Sequence, residues 1–209
     1  MKYEGIPENI TPEFLRSWVQ PRISERRFKH TEGVVDVAVR LAQQAGVDVF
    51  LAELCGWLHD ACKEVKDRQL VQMARDFNMP LDPILEAHGY LLHGPVAAEV
   101  ASRDLHITNK DVYDAVGEHT LGAVPMSPLS QVVFLADCLE ASRPESYTQP
   151  IWDALDIDGK VNMAAALVSA SDEGLKFLIA DGKPIHPKTV AVRNFYLESL
   201  RTVHDGYKR

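Results

Sequence analysis

Gly56-Trp57-Leu58-His59-Asp60-Ala61-Cys62-Lys63 closes an apolar stretch that begins at Val49. Asp48 stands in front of that stretch as an N-cap, and the run is rich in Ala, Leu and Trp. It therefore reads as a buried helix from Val49 to about Lys63. A histidine and an aspartate side by side near the end of such a helix need a reason. Unpaired charge among apolar neighbours is costly, and a metal ion removes that cost. Successive helical side chains point roughly 100° apart, so one ion, or two adjacent ions, can receive both from a single turn. A lone His-Asp pair is common by chance. Its weight depends on what the other helices present.

Outward from this pair, helical signals recur and strand signals are nearly absent. Thr11-Pro12-Glu13 starts a helix to about Val19, which Pro21 stops. A second helix carries His30 through Ala45. Val34, Val37, Ala38 and Leu41 fall at its 3,4 spacing, and Gly46 ends it. Beyond the His-Asp helix come Lys66 to Phe77, a segment with His88 and His93, Val96 to about Leu105, Asp111 to about His119, and Ser127-Pro128 to about Ala141. The last third gives a helix around Val161 to Ile179, the loop Asp181-Gly182-Lys183-Pro184, and a helix near Thr189 to Val203. The fold class is all-α with short loops. Residues 1–209 form a single domain, with a core at about 20–145 and a helical extension at about 150–209.

Histidines and acids fall at informative places on these helices. His30 opens a helix one turn before Val34. His93 precedes a helix start. His119 ends a helix, one turn after Ala115. Asp137 sits mid-helix, one turn after Val133, where the helix interior disfavours aspartate. Taken singly, His30 is also readable as a core histidine and His119 as a cation at a helix C-terminus. The ordered set His30, His59-Asp60, His93, His119, Asp137 is much harder to attribute to chance. Such donors select iron, manganese or zinc. A metal in them lowers the pKa of bound water and polarises a phosphoryl group. His88, His106, His186 and His204 are assigned to surface or structural roles.

Composition limits the partners. The chain has 209 residues, a net charge of -8 and 46% hydrophobic residues, which suits one domain with a real core. No basic stripe or aromatic platform suggests nucleic acid, and no apolar run reaches the ~18 residues of a membrane span. Cys55, Cys62 and Cys138 are odd in number and form no CxxC pair, which points to a reducing cytoplasm. Phe50, Trp152 and Phe177 are apolar residues available for packing or for a homodimer surface.

The combined motifs resemble the HD-domain phosphohydrolase superfamily, and within it the YqeK-type symmetrical bis(5′-nucleosyl)-tetraphosphatases. The matching text is Arg27-Phe28-Lys29-His30-Thr31, the Gly56–Lys63 stretch, Leu92-His93-Gly94-Pro95, His119-Thr120-Leu121-Gly122, Phe134-Leu135-Ala136-Asp137 and Ile185-His186-Pro187-Lys188-Thr189. The resemblance implies an HD-domain helical assembly with the metal site in its core. It implies cleavage of diadenosine tetraphosphate to two ADP, with iron as the metal (one ion or two). His30, His59, Asp60 and Asp137 would be its ligands, and attack would come from a metal-bound hydroxide. It places nucleotide contacts at His93, His119, Thr120, Arg143 and the loop Ala180, Asp181, Gly182, Lys183, Pro184, Ile185; the metal ligands His30 and Asp137 are further candidates for touching substrate. Apart from the resemblance, Asp60, His93 and His119 are candidates for catalysis, and so is Lys63, a cation about one turn after His59-Asp60. Family members usually carry Ile-Glu-Pro-Asn-Arg after the last metal aspartate. Here the text is Leu139-Glu140-Ala141-Ser142-Arg143, without the proline.

Two other readings compete: an HD hydrolase acting on nucleoside monophosphates or cyclic nucleotides, and a non-catalytic nucleotide-binding regulatory module. Product analysis separates the first, and metal content the second.

Overall fold

Polar caps cut the apolar stretches into helices. In the computed structural model, which describes residues 3–157 and 159–206, the helices among the described residues are α1 (Pro12–Val19), α2 (Glu25–Ala45), α3 (Val49–Leu58), α4 (Asp67–Asp76), α5 (Pro83–Ala87), α6 (His93–Leu105), α7 (Lys110–Glu118), α8 (Pro128–Leu139), α9 (Glu145–Leu155), α10 (Met163–Ala180) and α11 (Pro187–Gly206). Thr11, Ser24, Asp48, Asn109, Ser127 and Asn162 each accept a hydrogen bond from the backbone N–H three residues on. Each such cap is worth about 1 kcal/mol. Gly46 closes α2 at φ +68°, a left-handed conformation in which glycine carries no Cβ penalty.

Packing sets the position of the site. α2 lies against α3 and α8, and α7 joins α6 to α8. Leu41, Leu54, Leu58 and Leu135 are fully buried, each contributing roughly 1.5–3 kcal/mol of hydrophobic stabilisation. At Gly56 a Cβ would stand 3.0 Å from Val35 Cα. Only glycine lets α3 approach α2 this closely, and that approach sets His59 beside His30. α10 packs on α9, on α11 and on α8, so the C-terminal helices rest on the helix that carries Asp137.

The structure moves several expected boundaries. α2 begins at Glu25, placing His30 in its second turn instead of at its start. α3 stops at Leu58 and not near Lys63. The chain then tightens into turns in which Ala61 N bonds Leu58 O at 3.1 Å and Lys63 N bonds Asp60 O at 2.9 Å. α6 begins at His93 itself. α9 has no counterpart in the sequence reading. Pro150 lies inside it, and proline disfavours a helix interior. Burial of Thr148, Ile151 and Leu155 overrides that local preference. A small antiparallel hairpin, β1 (Asp156–Ile157) with β2 (Lys160–Val161), precedes α10, so Val161 lies outside the helix. Among the described residues, no helix is long and apolar enough to cross a membrane.

Candidate metal centre and its cavity

Three of the centre's histidines are oriented by one local device. His59 Nδ1 lies 2.7 Å from Gly56 O, His93 Nδ1 2.6 Å from Tyr90 O, and His119 Nδ1 2.8 Å from Val116 O. In each case the partner is the carbonyl three residues earlier. A carbonyl only accepts, so each Nδ1 carries the hydrogen, and in that neutral tautomer the ring presents a bare Nε2. His30 uses a carboxylate for the same purpose, its Nδ1 lying 2.9 Å from Glu140 Oε1. Metal-binding histidines characteristically donate their second ring nitrogen in this way.

Asp60 stands at the middle. Its Oδ2 is 3.6 Å from His30 Nε2, 3.5 Å from His59 Nε2 and 2.9 Å from Arg27 Nη1. Its Oδ1 is 3.2 Å from His93 Nε2 and 3.7 Å from His119 Nε2. His30–His59–Asp60 and Asp60–His93–His119 thus form two donor sets, the atoms of each lying within 4.8 Å of one another. Asp137 joins through His30, its Oδ1 lying 3.1 Å from His30 Nε2 and 2.7 Å from Arg143 Nη2.

Acceptors crowd this centre. His30 Nε2, His59 Nε2 and Asp60 Oδ1 are buried without a hydrogen-bond partner, and His93 Nε2 faces His119 Nε2 at 3.0 Å. Buried lone pairs that face one another are costly. A proton on His30 is one remedy. Burial opposes it, but Asp137 and Glu140 overcome burial and raise the His30 pKa to about 9. A cation bound among the lone pairs is the other remedy, and the donor set fits one. His93 is pushed down to about 4 by burial, aided by Lys63 and His119. It is therefore a neutral acceptor, and Lys63 Nζ lies 3.1 Å from its Nε2.

The centre opens into a cavity of about 210 Å³. Lys63, His93, His119, Thr120, Asp137 and Arg143 line it together with Tyr147, Ser171, Gly174, Phe177, Pro184 and His186. Of the loop Ala180 to Ile185, Pro184 reaches the cavity wall. Lys183 turns back to Asp181 at 3.0 Å and to the Phe177 ring at 4.4 Å. His186 is no surface residue: it is buried, and its Nε2 meets Asp82 Oδ2 at 2.8 Å, fastening α11 to the cap of α5. His106 is exposed and caps α6, and His88 is half-buried against Tyr90. The His204 side chain lies outside the described residues. Phe50 stacks on Tyr3 and Trp152 lies under Arg40, whereas Phe177 is half exposed at the cavity mouth. Despite the missing proline, Arg143 is firmly placed. Its Nε donates to Asp137 O at 3.1 Å, and Ser142 N donates to Glu140 Oε2 at 2.8 Å.

Residues 27–142, more than half of the sequence, match the HD domain family, and that span holds all six centre residues. The chain belongs to the HD domain family. Curated relatives include a symmetrical bis(5′-nucleosyl)-tetraphosphatase of Halalkalibacterium halodurans, 31% identical over 84% of this chain and 91% of that protein. A second, from Bacillus subtilis, carries the same name and is 28% identical over 85% of this chain and 92% of its own length. A crystal structure of a protein from Clostridium acetobutylicum, described as a predicted HD superfamily hydrolase involved in NAD metabolism, is 28% identical. It superposes with a TM-score of 0.84 over 91% of this chain and 98% of the other. Tyr147, Ser171 and Gly174, which line the cavity of this HD domain protein, carried no motif that sequence reading could use. They reach the site through the packing of α9 and α10 on α8.

Proposed function

We propose that this HD domain protein hydrolyses diadenosine tetraphosphate and related dinucleoside polyphosphates to two nucleoside diphosphates. The carrying observation is a buried cluster of bare Nε2 atoms and carboxylates that opens into a cavity where Lys63 and Arg143 supply positive charge. The names of the curated relatives support the choice of substrate.

His30, His59, Asp60 and Asp137 would hold the metal, with iron preferred over manganese or zinc. When bound, the metal supplies a Lewis acid and lowers the pKa of the attacking water. The chain's own groups do the rest. Lys63 and Arg143 bind phosphate oxygens and offset charge that develops as the anhydride breaks. Thr120 Oγ1, 3.2 Å from His93 Nε2, is a further donor within reach of a phosphate. His93 and His119 fix the polar wall against which the phosphates lie. The ammonium of Lys63 already supplies a cation beside the second donor set, which favours one metal ion over two. Arg143 keeps Asp137 anionic and oriented. Cleavage must divide four phosphates two and two, so the attacked phosphorus adjoins the central bridging oxygen. A reducing cytoplasm is the proposed setting, consistent with three free cysteines.

The test is turnover of diadenosine tetraphosphate by protein loaded with iron, manganese or zinc, and by chelated protein, with products resolved. ADP as sole product supports the proposal. AMP with ATP, or inorganic phosphate from a mononucleotide, would place the chain with another HD activity. Tight nucleotide binding by metal-free protein without turnover would make it a binding module.

A further inference from the structure

A second opening borders the centre at His30 and shares Arg143 with the first cavity. It measures about 740 Å³, and its wall includes Arg26, Arg27, Lys29, His30, Glu140 and Arg143. We infer that this opening binds the second nucleoside diphosphate arm of the substrate, an assignment that rests on the function proposed above.

Size argues first. The inner cavity, about 210 Å³, falls below the ~300–1,000 Å³ common for small-molecule sites. A dinucleoside tetraphosphate is larger than an ordinary small ligand and extends past such a cavity in both directions. The second opening lies within the usual range.

Charge and connectivity agree. Four of the lining residues are cations, and Glu140 is the one carboxylate among them. Glu140 is buried, with its oxygens committed to His30 and Ser142. Gly33 keeps that wall low, since a Cβ there would stand 3.1 Å from Glu140 Oε2. Arg143 lines both openings, and Arg27 reaches from the second opening to Asp60 Oδ2 at 2.9 Å. A phosphate chain crossing the centre would pass from Lys63 on one side to Arg27 and Arg143 on the other. Two cations at the rim are available. The Arg26 side chain has no hydrogen bond or close ion pair with the described residues, only a longer-range attraction to exposed Glu64, and Lys29 pairs with exposed Glu25 at 3.2 Å, a contact worth little in water. The preferred ligand is a nucleoside diphosphate held chiefly by its phosphates.

The assignment is tested on metal-loaded protein with ADP and diadenosine tetraphosphate. Calorimetry of the wild type should show two ADP per chain. The double variant Arg26→Ala/Lys29→Ala should keep one ADP and weaken the other about tenfold. Its KM for the tetraphosphate should rise about tenfold, as expected on losing two partly solvated phosphate contacts. Lys110→Ala/Arg201→Ala removes the same charge from exposed pairs elsewhere and should change neither quantity. A wild type that saturates at one ADP, or a double variant with wild-type stoichiometry and KM, overturns the assignment alone. A wild type that makes no ADP from the tetraphosphate overturns the functional reading, and this assignment with it.

Discussion

Replacing Glu140 by glutamine tests how the centre is built. The Glu140 carboxylate is buried and pulled down to about 2, because its bonds to His30 and Ser142 outweigh burial. Oε1 receives His30 Nδ1 at 2.9 Å, and Oε2 receives Ser142 N at 2.8 Å. An amide cannot satisfy both. With its oxygen toward His30, its NH2 meets the Ser142 N–H, donor against donor. With its oxygen toward Ser142, its NH2 forces His30 into the other tautomer and puts a hydrogen on the Nε2 that faces Asp60 and Asp137. Either way one buried, charge-assisted hydrogen bond is lost, worth about 1.5–3 kcal/mol. That matches the 10–100-fold loss of metal affinity usual when such a supporting contact is removed. The assay is metal titration of Glu140→Gln against a competing chelator, with activity measured at limiting and saturating metal. Weaker metal binding, with activity largely restored at saturation, is the expected outcome. Wild-type metal affinity and thermal stability in Glu140→Gln would refute the claim that this carboxylate sets the His30 tautomer.

Other perturbations follow from the same geometry. Asp60→Ala removes the group shared by both donor sets, and metal content and turnover should disappear together; a metal-loaded, active Asp60→Ala protein would contradict the site. Lys63→Ala should lower kcat by about 10²–10³ while circular dichroism stays unchanged, since half-exposed Lys63 contributes charge and not packing. Gly94→Ala puts a Cβ 2.9 Å from His119 Cε1 and 3.0 Å from Thr120 Oγ1. It should cost about 1–3 kcal/mol by overpacking and reduce turnover, read from denaturant midpoints and kinetics. Chelation should cost the lost binding energy, about 2.7 kcal/mol for an ion at one hundred times its Kd, read as a lower Tm; a Tm indifferent to chelator would argue against a buried ion.

The helices were largely legible because their signals are local. Thr11, Asp48, Asn109 and Ser127 announce helix starts through hydrogen bonds that close within three residues. The spacing of Val34, Ala38 and Leu41 needs no distant partner to be read. α9 has no counterpart in the sequence reading; Pro150 disfavours a helix interior, and the burial that overrides it comes largely from packing on α10. Sequence alone could not choose between a surface and a structural role for His186 for the same kind of reason: Asp82, which holds it, lies 104 residues away.

Residue types and order alone thus determined an all-helical chain with His30, His59, Asp60, His93, His119 and Asp137 as one set. Only the tertiary structure decided which lone pairs meet. Asp60 divides its two oxygens between two histidine groups, Glu140 reaches across 110 residues to His30, and Arg143 borders two openings. Capping and periodicity act over a few residues and can be read along a line. Convergence of buried acceptors depends on how helices cross, and at Gly56 a single missing Cβ sets that crossing.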